Sequence, residues 1–290
     1  MAAPKIELLA IVGPTASGKT SLSLQIAKQL GSEIISVDSR AQYQQMDIGT
    51  AKPSSNERNT VPHWGIDIAS PDKPISASDF KDYAYQKIKD IQARGKLPIL
   101  VGGSGLYVDS VLYDYSFAPA DNNLRNQLNS KTTDELQAII TKRHLTMPEN
   151  YNNKRYLIRA IEIGDQKATK KQLPDNTIIV GLNPPLPELK KIVTKRINKM
   201  IKNGLYKEIK HLKLRYQAQT EPMKANAYRI FGEYLDGNMN ESEAIEAAIR
   251  QDMLLVKKQL TWFRRNPDIT WFDNKETAFA WLMGVIKGKI

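Results

Sequence analysis

Apolar residues along the chain fall into two rhythms. Short, mostly apolar runs at 7–12, 33–37, 97–101 and 177–181 read as strands buried on both faces, ended by glycine or by an aspartate. Between them, apolar positions recur at helical spacing. The segment 19–30 offers Leu22, Leu24, Ile26, Ala27 and Leu30 to a core and stops at Gly31; 79–94 offers Phe80, Tyr83, Ala84, Ile88 and Ile91 and stops at Gly95. Strands alternating with helices, with glycine turns after the strands, predict an α/β fold with a mostly parallel sheet flanked by helices.

From about Pro119 the texture changes. No buried strand is expected before 177, and 132–143 and 151–163 have helical spacing, so 119–175 reads as a helical insertion in a core made of 1–118 and 176–290. After the turn Pro184-Pro185-Leu186-Pro187, helices are expected through Trp262. No apolar run approaches the roughly 18–20 residues of a membrane span. The start of the chain lacks the apolar stretch of a secretory signal, which leads us to expect a cytoplasmic enzyme.

Composition narrows the chemistry. The 290 residues contain no cysteine, which removes disulfides, thiolate metal sites and cysteine nucleophiles, and three histidines far apart in sequence suggest no zinc cluster. The net charge of +11 favours a polyanionic partner. Much of it is concentrated between Lys190 and Arg215, where ten basic residues are opposed by Glu208 alone. Lys195, Lys199 and Lys202 share a helical face there, a pattern that leans towards nucleic acid.

Gly13-Pro14-Thr15-Ala16-Ser17-Gly18-Lys19-Thr20 fits G-x-x-x-x-G-K-[ST] and lies between a buried strand and a helix. Such a loop wraps backbone N–H groups around a di- or triphosphate at a helix N-terminus; Lys19 supplies charge and Thr20 a hydroxyl for Mg²⁺. The second strand delivers Asp38 and Ser39 to the same sheet edge, and the third delivers Gly102-Gly103-Ser104-Gly105. Asp38 there could hold a metal or act as a base.

These residues resemble the tRNA dimethylallyltransferase (tRNA isopentenyltransferase) family. The likeness runs through the loop 13–20, Asp38-Ser39 with Tyr43, Met46-Asp47-Ile48-Gly49-Thr50-Ala51-Lys52-Pro53, Pro62-His63 with Asp67, and Gly102 to Tyr107. It continues through Arg155, Arg159 to Glu162, Gly204-Leu205, and Gln259 with Thr261-Trp262. The resemblance implies a P-loop NTPase-like core that binds dimethylallyl diphosphate and Mg²⁺ without consuming a nucleoside triphosphate. It implies transfer of the dimethylallyl group to N6 of the adenosine 3′ of the anticodon (position 37 of tRNA), with a helical insertion gripping the anticodon stem-loop. Asp38 would be the base, supported catalytically by Lys19, Thr20 and Ser104, the last standing where the family usually has threonine. Contacts to tRNA would come from Asp38, Ser39, Arg40, Ala41, Ser104, Arg125, Arg155, Arg159 and Arg229. A monomer that engages no membrane is expected.

Departures from the family pattern lie in Ala227, Ile230 and Met253, and in Asn153 where aspartate is common. The rival readings are a P-loop kinase for a small molecule or nucleotide, which would use the same loop, and a non-catalytic RNA-binding relic. Trp262, Phe263, Trp271 and Phe272 are expected in the core rather than against bases. His63 is expected to orient a loop through a hydrogen bond.

Overall fold

The computed structural model describes residues 6–119, 121–164, 166, 169–216 and 220–288, except for the side chain of Asn122. The chain divides into two compact units, one of 1–112 with 173–290 and one of 113–172.

The larger unit is built on a six-stranded sheet. Its strands are β1 (Leu8–Val12), β2 (Glu33–Val37), β3 (His63–Trp64), β4 (Pro98–Gly102), β5 (Thr177–Leu182) and β6 (Ile269–Phe272), in the order β3-β2-β4-β1-β5-β6. Every pairing among them is parallel. The strands of the expected sheet are all present. The two at its edges, β3 and β6, carry only two and four residues and are too short to leave a periodic signal in the sequence.

Side-chain alternation assigns the faces. Leu9 and Ile11 of β1, Ile34 of β2, Ile99 and Val101 of β4, and Val180 and Leu182 of β5 point into one core. That core is closed by α1 (Lys19–Leu30) through Leu22 and Ile26, and by the chain's last helix, Lys275–Ile286, through Ala278 and Leu282. Gly18 starts α1 and Gly31 ends it, both in the left-handed conformation.

Helix α2 (Ser55–Thr60) follows the segment 47–53, and α3 (Ala77–Ala93) starts on a capping box between Ser76 and Asp79, two residues before the apolar periodicity shows it. Helix α4 (Gly105–Leu112) begins directly after the glycine turn of β4, where glycines conceal the helical pattern in the sequence. At the opposite end of the sheet from these turns, the Glu33 carboxylate is 1 % exposed and bonds to Arg94, Lys96 and the Trp64 indole. The Arg94 bond leads in holding it down at about pKa 2 against the opposing effect of burial.

The smaller unit contains α5 (Asn122–Asn129), α6 (Thr133–Lys142) and α7 (Lys154–Ile163) around Leu128, Leu136, Ile140, Leu157, Ile158 and Ile161. Its two arms pair through Ser116 N–H to Thr169 O at 2.9 Å and Lys171 N–H to Tyr113 O at 2.7 Å. This pairing draws residues from 113 onward into the unit. Helix α7 starts later than 151 because the Asn153 side chain caps it, accepting the Arg155 N–H at 3.1 Å.

The larger unit resumes with α8 (Leu186–Lys202), α9 (Leu205–Arg215), α10 (Asn226–Leu235), α11 (Glu241–Phe263) and α12 (Lys275–Ile286), with a 3-10 turn at Pro222–Lys224. A second core joins α8 to α11, with Val193, Ile197, Leu205, Ile209, Tyr228, Phe231, Ala244 and Ala248 packed against Tyr43 and Met46.

Candidate active site

All six parallel strands end at one edge, and the turns that follow β1, β2 and β4 meet there. Gly13 leaves β1 with φ +142°, and a Cβ on it would lie 2.5 Å from the Leu182 carbonyl oxygen; glycine is required for the loop to turn this close to β5. The loop 13–20 then enters α1, whose first N–H groups have no acceptor earlier in the helix. They open on a cavity of about 250 Å³. Its lining includes Thr15 to Thr20, Asp38, Ala41, Gly103, Arg196 and Gln259, with Ile34, Val101 and Pro53 as apolar wall.

The same alternation that buries Ile34 places Ser36 and Asp38 on the α1 face of the sheet, so the carboxylate shares the cavity with Lys19. Asp38 Oδ1 accepts the N–H groups of Arg40 at 2.8 Å and Ala41 at 3.3 Å. These two bonds fix the side chain by its own turn. Ser104 Oγ accepts the Ser39 N–H at 3.0 Å and lies 3.2 Å from the Ser39 hydroxyl, joining the turns after β2 and β4.

Lys19 donates to the Pro14 carbonyl at 2.5 Å. Burial pushes its ammonium down to about pKa 7, the Asp38 charge works against that shift, and Arg196 adds to it. Lys19, poorly solvated, and Arg196 thus share a cavity that a polyphosphate would neutralise, while Lys52, also in its lining, is paired with Asp47 and Asp67. Thr20 is exposed, and among the described residues its hydroxyl enters no hydrogen bond, which leaves its lone pairs available to a cation.

Three residues of this site carry more than the sequence pattern conveys. Arg196 belongs to the basic run yet turns inward: Nη2 donates to the Thr50 carbonyl at 3.3 Å, and the buried Nε has no hydrogen-bond partner. A buried guanidinium N–H without an acceptor is costly unless a ligand supplies one. Gln259 spans the site, with Oε1 accepting the Thr15 N–H at 2.8 Å and Nε2 donating to the Gly103 carbonyl at 2.9 Å. Its bond takes the Thr15 amide out of the set that can face an anion.

Glu208, the lone acid of the basic stretch, anchors the segment 47–53. Its carboxylate accepts the N–H groups of Asp47 (3.0 Å), Ile48 (2.8 Å) and Gly49 (2.9 Å) and the Tyr228 hydroxyl (2.7 Å). Lys52 completes that segment: its side chain is 2 % exposed and bonds to Tyr43 O, Asp47 and Asp67. His63 donates from Nδ1 to the Val61 carbonyl at 2.7 Å, and burial lowers its pKa.

The residues expected on RNA divide. Arg229 is exposed on α10 and Arg155 on α7. Arg40 donates to the Glu221 carbonyl at 2.8 Å. Arg125 and Arg159 both bond the buried Glu162 carboxylate, at 2.7 and 3.1 Å, and Arg159 also reaches the Ala118 carbonyl at 2.7 Å. These two arginines therefore brace the smaller unit, and a shared helix face does not make Arg159 a second exposed arginine beside Arg155. No cluster of three or more carboxylate or imidazole side chains that could hold a metal occurs among the described residues.

Residues 41–266 match the family model described as IPP transferase. The chain belongs to the IPP transferase family. A tRNA dimethylallyltransferase of Macrococcus caseolyticus is 37 % identical over 301 residues, covering 99 % of this chain and 96 % of that protein. One of Bacillus subtilis is 37 % identical over 286 residues, covering 93 % and 91 %. The crystal structure of a tRNA isopentenylpyrophosphate transferase from Bacillus halodurans superposes with a TM-score of 0.76 at 37 % identity, covering 98 % of this chain and 97 % of that one. The relatives favour a transferase over the kinase alternative.

Within this family member, the departures noted in the sequence have structural settings. Ile230 is 2 % exposed in the helical core, where a carboxylate would be desolvated. Met253 packs against the apolar clusters joining α11 to α8, and Asn153 performs the capping that an aspartate would. Phe263 is 1 % exposed and Phe272 and Trp271 pack in the core as expected, whereas Trp262 is 37 % exposed.

Proposed function

We propose that this chain transfers the dimethylallyl group of dimethylallyl diphosphate to the exocyclic N6 of the adenosine 3′ of a tRNA anticodon. The observation that carries this reading is one cavity lined by a carboxylate, Asp38, and by the cations Lys19 and Arg196, with the ion-paired Lys52 beside them. N6 attacks C1 of the allylic chain, the C1–O bond breaks, and the electron pair leaves with diphosphate. Lys19, Arg196 and the amides at the start of α1 stabilise the charge that develops on the leaving oxygen. The N6 lone pair is delocalised into the purine, so the amine needs its proton removed as the new bond forms; Asp38 accepts it. Ile34, Val101 and Pro53 give the five-carbon chain an apolar wall that keeps water from competing for the allylic carbon.

A Mg²⁺ ion would be held by the Thr20 hydroxyl together with the diphosphate oxygens and water, a donor set of the kind this ion takes beside phosphates. It would supply further neutralisation of the leaving group. The base must leave the anticodon-loop stack to enter the cavity. Ser39 and Ser104 would meet it there, with Arg40 and Arg229 towards the RNA. The helical unit 113–172 would hold the stem-loop through Arg155.

The test is Asp38→Asn, which preserves an acceptor for the Arg40 and Ala41 amides. Nucleoside mass spectrometry after incubation with tRNA and dimethylallyl diphosphate should show transfer reduced by about 10²–10⁴-fold. Donor affinity should stay within about threefold. Near-normal turnover in the variant would exclude Asp38 as the base, and ADP formation from ATP by the wild type would exclude the reaction itself.

A further inference from the structure

Trp262 lies one turn from the Gln259 clamp on the same face of α11. Its indole rests on the backbone of Gly105, where a Cβ would fall 2.5 Å from both Cγ and Nε1 of the ring. The indole N–H donates to Asp109 Oδ2 at 2.8 Å. A glycine surface fixes where the ring lies and a hydrogen bond fixes its rotation, yet the residue remains 37 % exposed. The neighbouring Phe263 is 1 % exposed, so the core takes the phenyl ring and leaves the indole outside.

The position is as informative as the exposure. Gly105 follows Ser104, whose hydroxyl joins Ser39 beside Asp38, so the indole flanks the edge at which the acceptor base is expected. Leu106 (40 % exposed) follows Gly105, Leu255 (38 %) lies two turns before Trp262 on the same face of α11, and Lys258 and Arg265 are exposed on the same helix or directly after it. An immobilised aromatic face in a basic surrounding suits a nucleobase, since every base offers a π-face and its phosphates meet the cations.

We propose that the Trp262 ring is a stacking platform for an unpaired anticodon-loop base that neighbours the reacting adenosine. The inference rests on the function proposed above. Extruding one base strips its neighbour of a stacking partner, and a ring already fixed at the cavity rim replaces that partner without further ordering. The platform reads no base edge; it favours an unstacked loop over a paired stem.

The test uses the whole chain with Trp262→Ala and Trp262→Phe. Alanine should raise the Kd for tRNA by about 5–150-fold, the range expected for one stacked base, while the Kd for dimethylallyl diphosphate stays within about twofold. Phenylalanine, which keeps a ring but loses the bond to Asp109, should recover tRNA binding to within about threefold of wild type. An anticodon stem-loop with 2-aminopurine next to the reactive adenosine should be quenched on binding to wild type and measurably less by the alanine variant. Equal tRNA affinity in the alanine variant would overturn the proposal. So would a phenylalanine variant as weak as alanine, or donor and tRNA binding falling together, which would mark a brace for the Gly103–Gly105 turn. A wild type that binds no tRNA refutes the functional reading along with this one; a wild type that binds and transfers while the alanine variant binds equally well refutes the platform alone.

Discussion

Lys19 shows how one partly buried side chain at the cavity can couple substrate binding to pH. An ammonium held at about pKa 7 by burial is mostly neutral at pH 8, and a bound diphosphate restores the charge by pairing with it. Donor binding should therefore take up a proton. The sign follows from the lowered pKa: the free site loses its charge as pH rises through 7, while the occupied site keeps it to higher pH. Affinity for dimethylallyl diphosphate should weaken between pH 7 and 9 by up to about tenfold per unit. Calorimetry at pH 8 in two buffers of different ionisation enthalpy should report net proton uptake, and Lys19→Met should abolish it. Equal heats in both buffers for the wild type would mean that Lys19 is already charged in the free site. This behaviour has no counterpart in the P-loop pattern itself, which specifies a lysine but not its depth or its distance from Arg196.

At the scale of elements, the segment 47–53 is the part of the site most dependent on a distant helix. Glu208 on α9 gathers three consecutive N–H groups and the Tyr228 hydroxyl, and the next residue, Thr50, presents its carbonyl to Arg196. Gly49 is needed because a Cβ would lie 2.6 Å from the Tyr228 ring. Tyr228→Phe removes one donor from the carboxylate and leaves the ring, so the segment should loosen without collapsing. The expected result is a rise of about two- to tenfold in donor KM with kcat and tRNA KM little changed; Glu208→Gln should have the larger effect because it weakens four bonds. A fall in kcat alone would show that the segment acts on chemistry rather than on the diphosphate.

The same region shows what sequence could and could not convey. The loop 13–20, Asp38 and Ser104 are legible because each sits directly after an apolar strand, so local pattern and topology fix their place. Arg196, Gln259 and Glu208 reach the site across 146, 156 and 161 residues, and no local spacing signals that one arginine among ten basic residues turns inward. Strands β3 and β6 were hidden for a related reason, since they exist by pairing at the sheet edges rather than by their own periodicity.

Across the whole molecule, the charge of +11 has a physical direction once inward-facing groups are set aside. Glu208 is bound to backbone amides and Arg196 faces the cavity, whereas Lys190, Lys191, Lys195, Lys199 and Lys202 of α8 and Lys207 and Lys210 of α9 are exposed. The lone acid of the stretch is thus committed to a loop, and with Arg196 also turned inward the exposed lysines of α8 and α9 form a surface of one sign. A surface of one sign attracts a polyanion by releasing its counterions, so tRNA affinity should fall steeply with salt. Removing charge without reversing it gives the clean comparison. In Lys195→Gln with Lys199→Gln, the slope of log Kd against log salt should shrink by roughly 1–2, about 0.7–0.9 for each phosphate no longer neutralised. Donor affinity, set inside the cavity by Lys19 and Arg196, should stay within about twofold. An unchanged slope would place the RNA elsewhere and reduce the lysine face to solubility. A slope that shrinks only for dimethylallyl diphosphate would make the face a guide for the small anion instead.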